Sequence, residues 1–140
     1  MDALLALIAT LSLASSAQAT PAHDKDRVGS GQCFYADRYA PLLGQGVVFA
    51  DCDSAAIERD GDRAVFRFRN SELERPMDFR ARLEGGRWKI DAVRARVGGW
   101  QETTGTCTIY RNQGAISTLT CITERGATLY AANFEVGRGQ

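Results

Sequence analysis

The feature of this chain that most restricts its fold is a series of short β-branched and aromatic runs. Glycine-bearing turns separate these runs about every ten residues, which is typical of an antiparallel β meander. Helical periodicity is weak and confined to residues 36–43. The 140 residues suffice for one domain. A chain of about seven to nine strands and almost no helix has only its own sheet to pack against. We therefore expect an all-β fold, a small antiparallel meander closed as a barrel or a two-sheet sandwich and stapled by disulfides.

Two turns in the middle of the chain predict hairpin registers. Asp60-Gly61 is typical of a type I′ turn, and closing it places Ile57 opposite Ala64 and Ala55 opposite Phe66. This pairing sorts apolar residues to one face and charged residues to the other.

The next hairpin turns at Gly85-Gly86. It places Leu83 opposite Trp88 and Phe79 opposite Ala92 on the inner face, with oppositely charged pairs outside. Trp88 is therefore predicted to belong to the core.

The last third of the chain contains strands predicted over 106–111, 116–123 and 128–136. The turn at Arg125-Gly126 sets Leu119 and Cys121 beside Ala132 and Tyr130.

A conflict arises one turn earlier. A type I turn with a glycine bulge at Asn112-Gln113-Gly114 would place Cys107 opposite Leu119 rather than Cys121. Three solutions stay open: the turn differs, a bulge shifts the register, or Cys107 pairs elsewhere.

The four cysteines are an even set, which in an exported domain indicates disulfides. They are Cys33, Cys52, Cys107 and Cys121. No C-x-x-C pair is present in the sequence and its single histidine is His23, so neither a structural zinc site nor a thioredoxin-like pair is expected. Four cysteines allow three connectivities, and pairing in sequence order closes the shortest loops. Each such bridge would contribute about 3 kcal/mol.

The first residues indicate export. Residues 3–14 are an uncharged Leu- and Ala-rich run, and Ala17-Gln18-Ala19 forms a signal-peptidase site, although Asp2 stands where a basic region is expected. We predict a signal peptide over 1–19, a flexible leader over 20–31 and a single β domain over 32–140. The mature protein should be periplasmic or secreted, with no stable membrane insertion after processing.

Composition and residue types exclude several functions. Lysine plus arginine equal aspartate plus glutamate at 17 each, which gives no reason to expect nucleic-acid binding. Nucleophilic catalysis lacks a base, because the only histidine lies in the leader. The acids Asp51, Asp53, Asp60 and Asp62 cluster in sequence, but Ala55 interrupts any calcium-loop pattern and their separation is not fixed by spacing. We therefore expect no catalytic residues, metal or cofactor.

Two features could carry binding. Trp100 follows Gly98-Gly99 and precedes a polar stretch, so it is predicted either to anchor a ligand or to cover the open end of the barrel. Basic residues also line the predicted outer face of the central strands, diluted by Asp78, Glu84 and Asp91. They are Arg67, Arg69, Arg80, Arg82, Lys89, Arg94 and Arg96.

The register of this face decides its chemistry. If Phe68 opposes Phe79, Arg67 lies opposite Arg80, and like charges so placed favour a nearby anion. The alternative is internal pairing of Asp78 with Arg69 and of Asp91 with Arg80, which would leave a paired surface worth little energy. The first case predicts salt-sensitive affinity for anions that depends on Arg67 and Arg80.

These features together favour a non-enzymatic exported binding module. Its partner is expected to be a protein or an anionic envelope component, bound through the ligand-binding candidates Arg67, Arg69, Arg80, Arg82 and Trp100. A carboxylate-based hydrolase and a purely structural envelope protein are the alternatives.

Overall fold

A computed structural model of the chain describes residues 23–73, 76–95 and 98–139. The signal peptide predicted for 1–19 and the first residues of the leader lie outside these ranges. The described residues form ten strands and one 3-10 helix, Asp37–Leu42. The strands are β1 His23–Val28, β2 Gly31–Cys33, β3 Val47–Phe49, β4 Ser54–Asp60, β5 Arg63–Arg69, β6 Met77–Glu84, β7 Arg87–Ala95, β8 Gln101–Asn112, β9 Ala115–Arg125 and β10 Thr128–Val136. Among these residues no helix has the length and apolar character needed to span a bilayer.

The strands form one nearly closed, barrel-like sheet. Strands β4 to β10 follow one another as antiparallel neighbours, as the meander predicts. β1 pairs with β4 at one end of this order, while β2 pairs with β10 at the other. Only Gly29 and Ser30 separate β1 from β2, so one bent segment joins both edges of the sheet. The all-β prediction is confirmed, and the sheet takes the barrel form.

The segment predicted as the end of a flexible leader is part of this sheet. His23–Val28 pairs with β4 from Asp60 to Ala55, and Gly31 pairs with Val136. A polar edge strand is held by backbone hydrogen bonds and carries little apolar periodicity, which is why the sequence pattern missed it. In β1 only Val28 has an apolar side chain, and it is buried.

The core fills the inside of the sheet with alternate residues of each strand. Phe66, Phe68 and Phe79 are fully buried, as predicted for the inner face of the central strands. Trp88 is buried and meets the edge of the Phe66 ring, with the ring centroids 5.8 Å apart. The predicted division into core and solvent faces is therefore confirmed for the central hairpins.

Two predicted hairpin registers are wrong, because in each the two-residue loop begins one residue later than predicted. Gly61 is the first of two loop residues, not the second, so Ile57 lies opposite Phe66 rather than Ala64. The positive φ of 61° at Gly61 suits the glycine-first position of a type II′ turn. Moving a two-residue loop by one position shifts the register by two residues, so every side chain keeps its face.

The turn between β9 and β10 repeats this displacement. Gly126 is again the first loop residue, with a φ of 59°. Cys121 therefore lies opposite Ala132 and not Tyr130, while Leu119 lies opposite Phe134.

The hairpin at Gly85-Gly86 has the predicted register near the turn, where Leu83 lies opposite Trp88. Farther along, Phe79 lies opposite Val93 instead of Ala92. A β-bulge beside Arg80 leaves Asp91 as an extra residue on β7, and this bulge accounts for the difference.

The conflict over Cys107 is resolved by a different turn and by a bulge. Gln113 and Gly114 form a two-residue loop with positive φ at both positions, the type I′ arrangement. A register shift at Tyr110/Arg111 then adds one more residue. Together these changes place Cys107 directly opposite Cys121.

Two disulfides staple the sheet in sequence order. Cys107–Cys121 joins β8 to β9 inside the core, and Cys33–Cys52 joins β2 to the segment before β4. The second bridge reinforces the closure of the barrel, where the Cys33 N–H also donates to the Cys52 carbonyl. Two disulfides are consistent with an oxidising extracellular or periplasmic compartment.

Candidate functional site

The basic residues of the central strands form a connected patch on the outer face of the sheet. Alternation along each strand turns these side chains away from the buried phenylalanines. We call the patch the arginine surface; its members are Arg67 and Arg69 on β5, Asp78 and Arg80 on β6, Arg94 on β7, and Trp100 in the segment before β8.

Asp78 is the centre of the arginine surface. Its side chain is only 1% exposed although it stands on the outer face, because arginine side chains cover it. Arg69 donates to both carboxylate oxygens of Asp78, with a distance of 3.2 Å from Nη2 to Oδ2. Arg94 donates to Oδ2 from Nη2 at 2.8 Å and from Nε at 3.2 Å. These charge-assisted forks fix both guanidinium groups.

Arg67 is held more loosely than its two neighbours. Its Nη2 lies 2.9 Å from Glu58 Oε2, and its Nη1 is 4.0 Å from Asp78 Oδ2. Its Nε is buried and has no hydrogen-bond partner among the described residues. Among the side chains that the structure describes, Arg67, Arg69 and Arg94 thus share two carboxylates, which leaves an excess of positive charge.

Trp100 lies over the other end of the arginine surface. Its ring centroid is 4.5 Å from Arg94 Cζ and 5.4 Å from Arg80 Cζ, within cation–π range. Arg80 is itself fixed by a 2.7 Å contact from its Nε to Asp91 Oδ1. The half-buried ring therefore lies against these two outer-face guanidinium groups.

The predicted repulsion between Arg67 and Arg80 is absent, because Arg67 lies opposite Asp78. The prediction assumed a register two residues away, in which Phe68 would oppose Phe79; Phe66 occupies that position. Both internal pairs of the alternative are present instead, Asp78 with Arg69 and Asp91 with Arg80.

Arg82 lies apart from the other candidates. It is exposed near the turn end of β6, opposite Arg63 on β5 and Lys89 on β7. The structure therefore brings together Arg67, Arg69, Arg80 and Trp100 but not Arg82.

Arg94, which the sequence placed only among the basic outer residues, contacts both Asp78 and Trp100. Asp78 was identifiable as an outer acid, but its central position depends on the register.

A groove of about 600 Å³ runs along the arginine surface beside β4. Its charged wall consists of Arg67, Arg69 and Glu58. The remaining lining residues are small and uncharged, and they are Val28, Gly29, Ser30, Ser54, Ala55 and Ala56. An anionic group in this groove would meet guanidinium donors together with backbone and methyl groups.

The four acids that cluster in sequence do not form one site. Asp51 accepts from Asn70 Nδ2 at 3.1 Å, and Asp53 accepts from Ser71 near the start of β4. Asp60 and Asp62 stand at the far end of β4, a strand length of about 20 Å away. Hydrogen bonding to the Ser71 hydroxyl lowers the pKa of the exposed Asp53.

Two other grooves differ from the arginine surface in the residues that line them. A shallow groove of about 500 Å³ is lined by the exposed carboxylates Asp91, Glu102 and Glu124 together with Arg80 and Arg125. No cluster of three metal-ligating side chains occurs in the described ranges.

An apolar groove of about 410 Å³ lies between the 3-10 helix and the outer face of β9 and β10. Tyr39 and Leu42 of the helix and Ile122 of β9 are exposed at this groove. This apolar surface was not predicted from the sequence.

Comparison of the chain with protein-family models, with curated proteins and with solved structures finds no match. The assignment of a function therefore depends on the residues and geometry described above.

Proposed function

We propose that this protein is an exported, non-enzymatic binding module that holds an anionic group on its arginine surface. The anion would belong to a protein or to a component of the cell envelope. The observation that carries the proposal is the arrangement around Asp78, where three guanidinium groups share one buried carboxylate beside an open groove.

Fixed guanidinium groups favour anion binding. Asp78 already orders Arg69 and Arg94. Binding of an anion there would therefore cost less arginine side-chain entropy than binding at freely moving arginines. Arg67 has donors beyond its single short contact with Glu58. A carboxylate or phosphate in the groove would offset the remaining positive charge and accept from these donors.

Other observations support the compartment and the absence of catalysis. The apolar run and the Ala17-Gln18-Ala19 site favour export, and both disulfides suit an oxidising periplasm. Separation of Asp53 from Asp60 along β4 weighs against a hydrolase that uses these acids.

Binding of fluorescent dextran sulfate, a generic polyanion, tests the proposal. We expect the mature protein to bind it at low ionic strength and to lose affinity as salt is raised. The double variant Arg67→Gln, Arg69→Gln should bind about tenfold more weakly, a loss on the scale of one charge-assisted contact.

Arg63→Gln, Arg82→Gln is the matched control, since it removes the same charge from an exposed pair outside the arginine surface. We expect it to retain most of the affinity. Equal losses in the two double variants, or absence of binding by the wild-type protein at low salt, would contradict the proposal.

A further inference from the structure

We infer that the anionic ligand is an acidic saccharide, with a sugar ring stacked on Trp100 and its carboxylate or phosphate groups bound by the arginine surface. This inference rests on the proposed function and specifies its ligand class. It depends on the position of Trp100 relative to the two guanidinium groups beneath it.

The ring of Trp100 is supported from the side of the sheet. Arg80 is fixed by Asp91 and Arg94 by Asp78, and both carboxylates belong to the sheet itself. Both guanidinium groups are anchored on the sheet and lie within cation–π distance of the ring, so they hold the indole against the sheet. The indole is only half-buried, so its solvent-accessible part would serve as the platform for a sugar ring.

The charged groups extend in a line from this platform. Arg67, Asp78 and Arg94 are register neighbours on β5, β6 and β7, so the row crosses three strands over about 10 Å. A ligand lying along the row would meet an aromatic face at one end and the groove beside Arg67 at the other. An oligomer of acidic sugars carries both required features in alternation: rings with apolar C–H faces, and anionic groups.

Simple polyanions and neutral sugars each lack one of these features. A linear polyphosphate has charge but no ring to stack on Trp100, while a neutral oligosaccharide has rings but no group for the guanidinium forks. The site therefore predicts that charge and ring act together in binding.

Isothermal titration of the mature protein with trigalacturonate, a neutral galactose trimer and a short linear polyphosphate tests this inference. We expect trigalacturonate to bind and the neutral trimer to bind at least tenfold more weakly, because it lacks the anionic groups. Trp100→Leu should weaken trigalacturonate binding about tenfold, as loss of one stacked ring does at other aromatic platforms. Trp100→Phe, which retains a flat ring, should keep most of the affinity.

Polyphosphate binding distinguishes a failure of the saccharide inference from a failure of the proposed function. Its affinity should be unchanged in Trp100→Leu, because it makes no stacking contact. If Trp100→Leu leaves the affinity for trigalacturonate unchanged, or lowers both affinities equally, the saccharide inference is wrong while anion binding stands. If the wild-type protein binds none of the charged ligands, the proposed function fails as well.

Discussion

Asp78 on β6 lies directly opposite Arg67 on β5, and its carboxylate accepts hydrogen bonds from the guanidinium groups of Arg69 and Arg94. A register two residues away would have set Arg67 against Arg80. The pairing of these strands therefore determines whether the outer face repels itself or forms an ordered cationic surface.

Replacement of Asp78 should separate its structural role from its effect on ligand binding. Asp78→Ala should lower the free energy of unfolding by about 2 kcal/mol, because it removes charge-assisted hydrogen bonds to Arg69 and Arg94. Asp78→Asn retains an acceptor and should cost less. It should also bind dextran sulfate more tightly than the wild-type protein, since the local charge rises by one.

Urea denaturation and polyanion titration of both variants check this prediction. An Asp78→Asn variant that binds the polyanion more weakly, while folded, would show that the charge of the arginine surface does not control binding.

The bridge at the barrel closure should contribute strongly to stability. Cys33 and Cys52 are separated by 19 residues, so Cys33→Ser, Cys52→Ser should lower the free energy of unfolding by about 3 kcal/mol. The groove beside Arg67 should also be affected, because Val28, Gly29 and Ser30 precede this bridge and line the groove.

Chemical denaturation gives the stability, and amide hydrogen exchange shows where it is lost. We expect faster exchange at Gly31 and Gln32 than at the β8–β9 pair. Uniform acceleration throughout the sheet would contradict a local role for the bridge.

A close backbone approach should make Gly105 less tolerant than the turn glycines. A Cβ added at Gly105 would lie 2.0 Å from the Ile122 carbonyl oxygen, whereas one added at Gly61 has no neighbour within 4 Å. Gly61→Ala should cost about 1 kcal/mol through its positive φ. Gly105→Ala should cost several times more, because the β8–β9 pair must separate. Thermal unfolding of the two variants checks the order, and equal costs would contradict the observed packing.

Tyr35 should give the protein a specific sensitivity to high pH. Burial raises the pKa of its hydroxyl above the ordinary value of 10.0, and that hydroxyl donates to the Ala50 carbonyl at 2.7 Å. Since the folded-state pKa is the higher one, the stabilisation is complete below about pH 10 and declines as the unfolded chain ionises above it.

Stability measured across pH 8 to about pH 11 tests this assignment. The stability of Tyr35→Phe should decline less with rising pH than that of the wild-type protein. Tyr110→Phe, which changes an exposed ring, should show the wild-type decline. An unchanged slope in Tyr35→Phe would contradict the role of Tyr35.

The all-β fold could be predicted because strand alternation is a local signal. Both disulfides could be predicted because the cysteine count is even. Inward Phe66 and outward Arg67 follow from alternation alone, whatever the register. The position of Gly61 in its turn is not fixed by the residue type, since glycine suits either loop position. The placement of Arg67 opposite Arg80 depended instead on an assumed pairing of Phe68 with Phe79 between β5 and β6, a register that no turn signal in the sequence fixes.

The edge strand and the centre of the arginine surface depend on long-range pairing. β1 is held by its backbone against β4, so its polar sequence resembles a leader. Asp78 looks like one acid among several until strand pairing brings Arg69 and Arg94 to it. The bulge that leaves Asp91 beside Arg80 has no distinctive residue to mark it.

Mapping the bound ligand by NMR tests the central claim most directly. In a titration of the isotope-labelled protein with trigalacturonate at low salt, the Trp100 indole N–H and the Nε–H signals of Arg67, Arg69 and Arg94 should shift together. The signals of Arg63 and Arg82 should remain in place. Shifts confined to the Arg63–Arg82 pair or to the apolar groove around Tyr39, or no shifts at all, would contradict binding at the arginine surface.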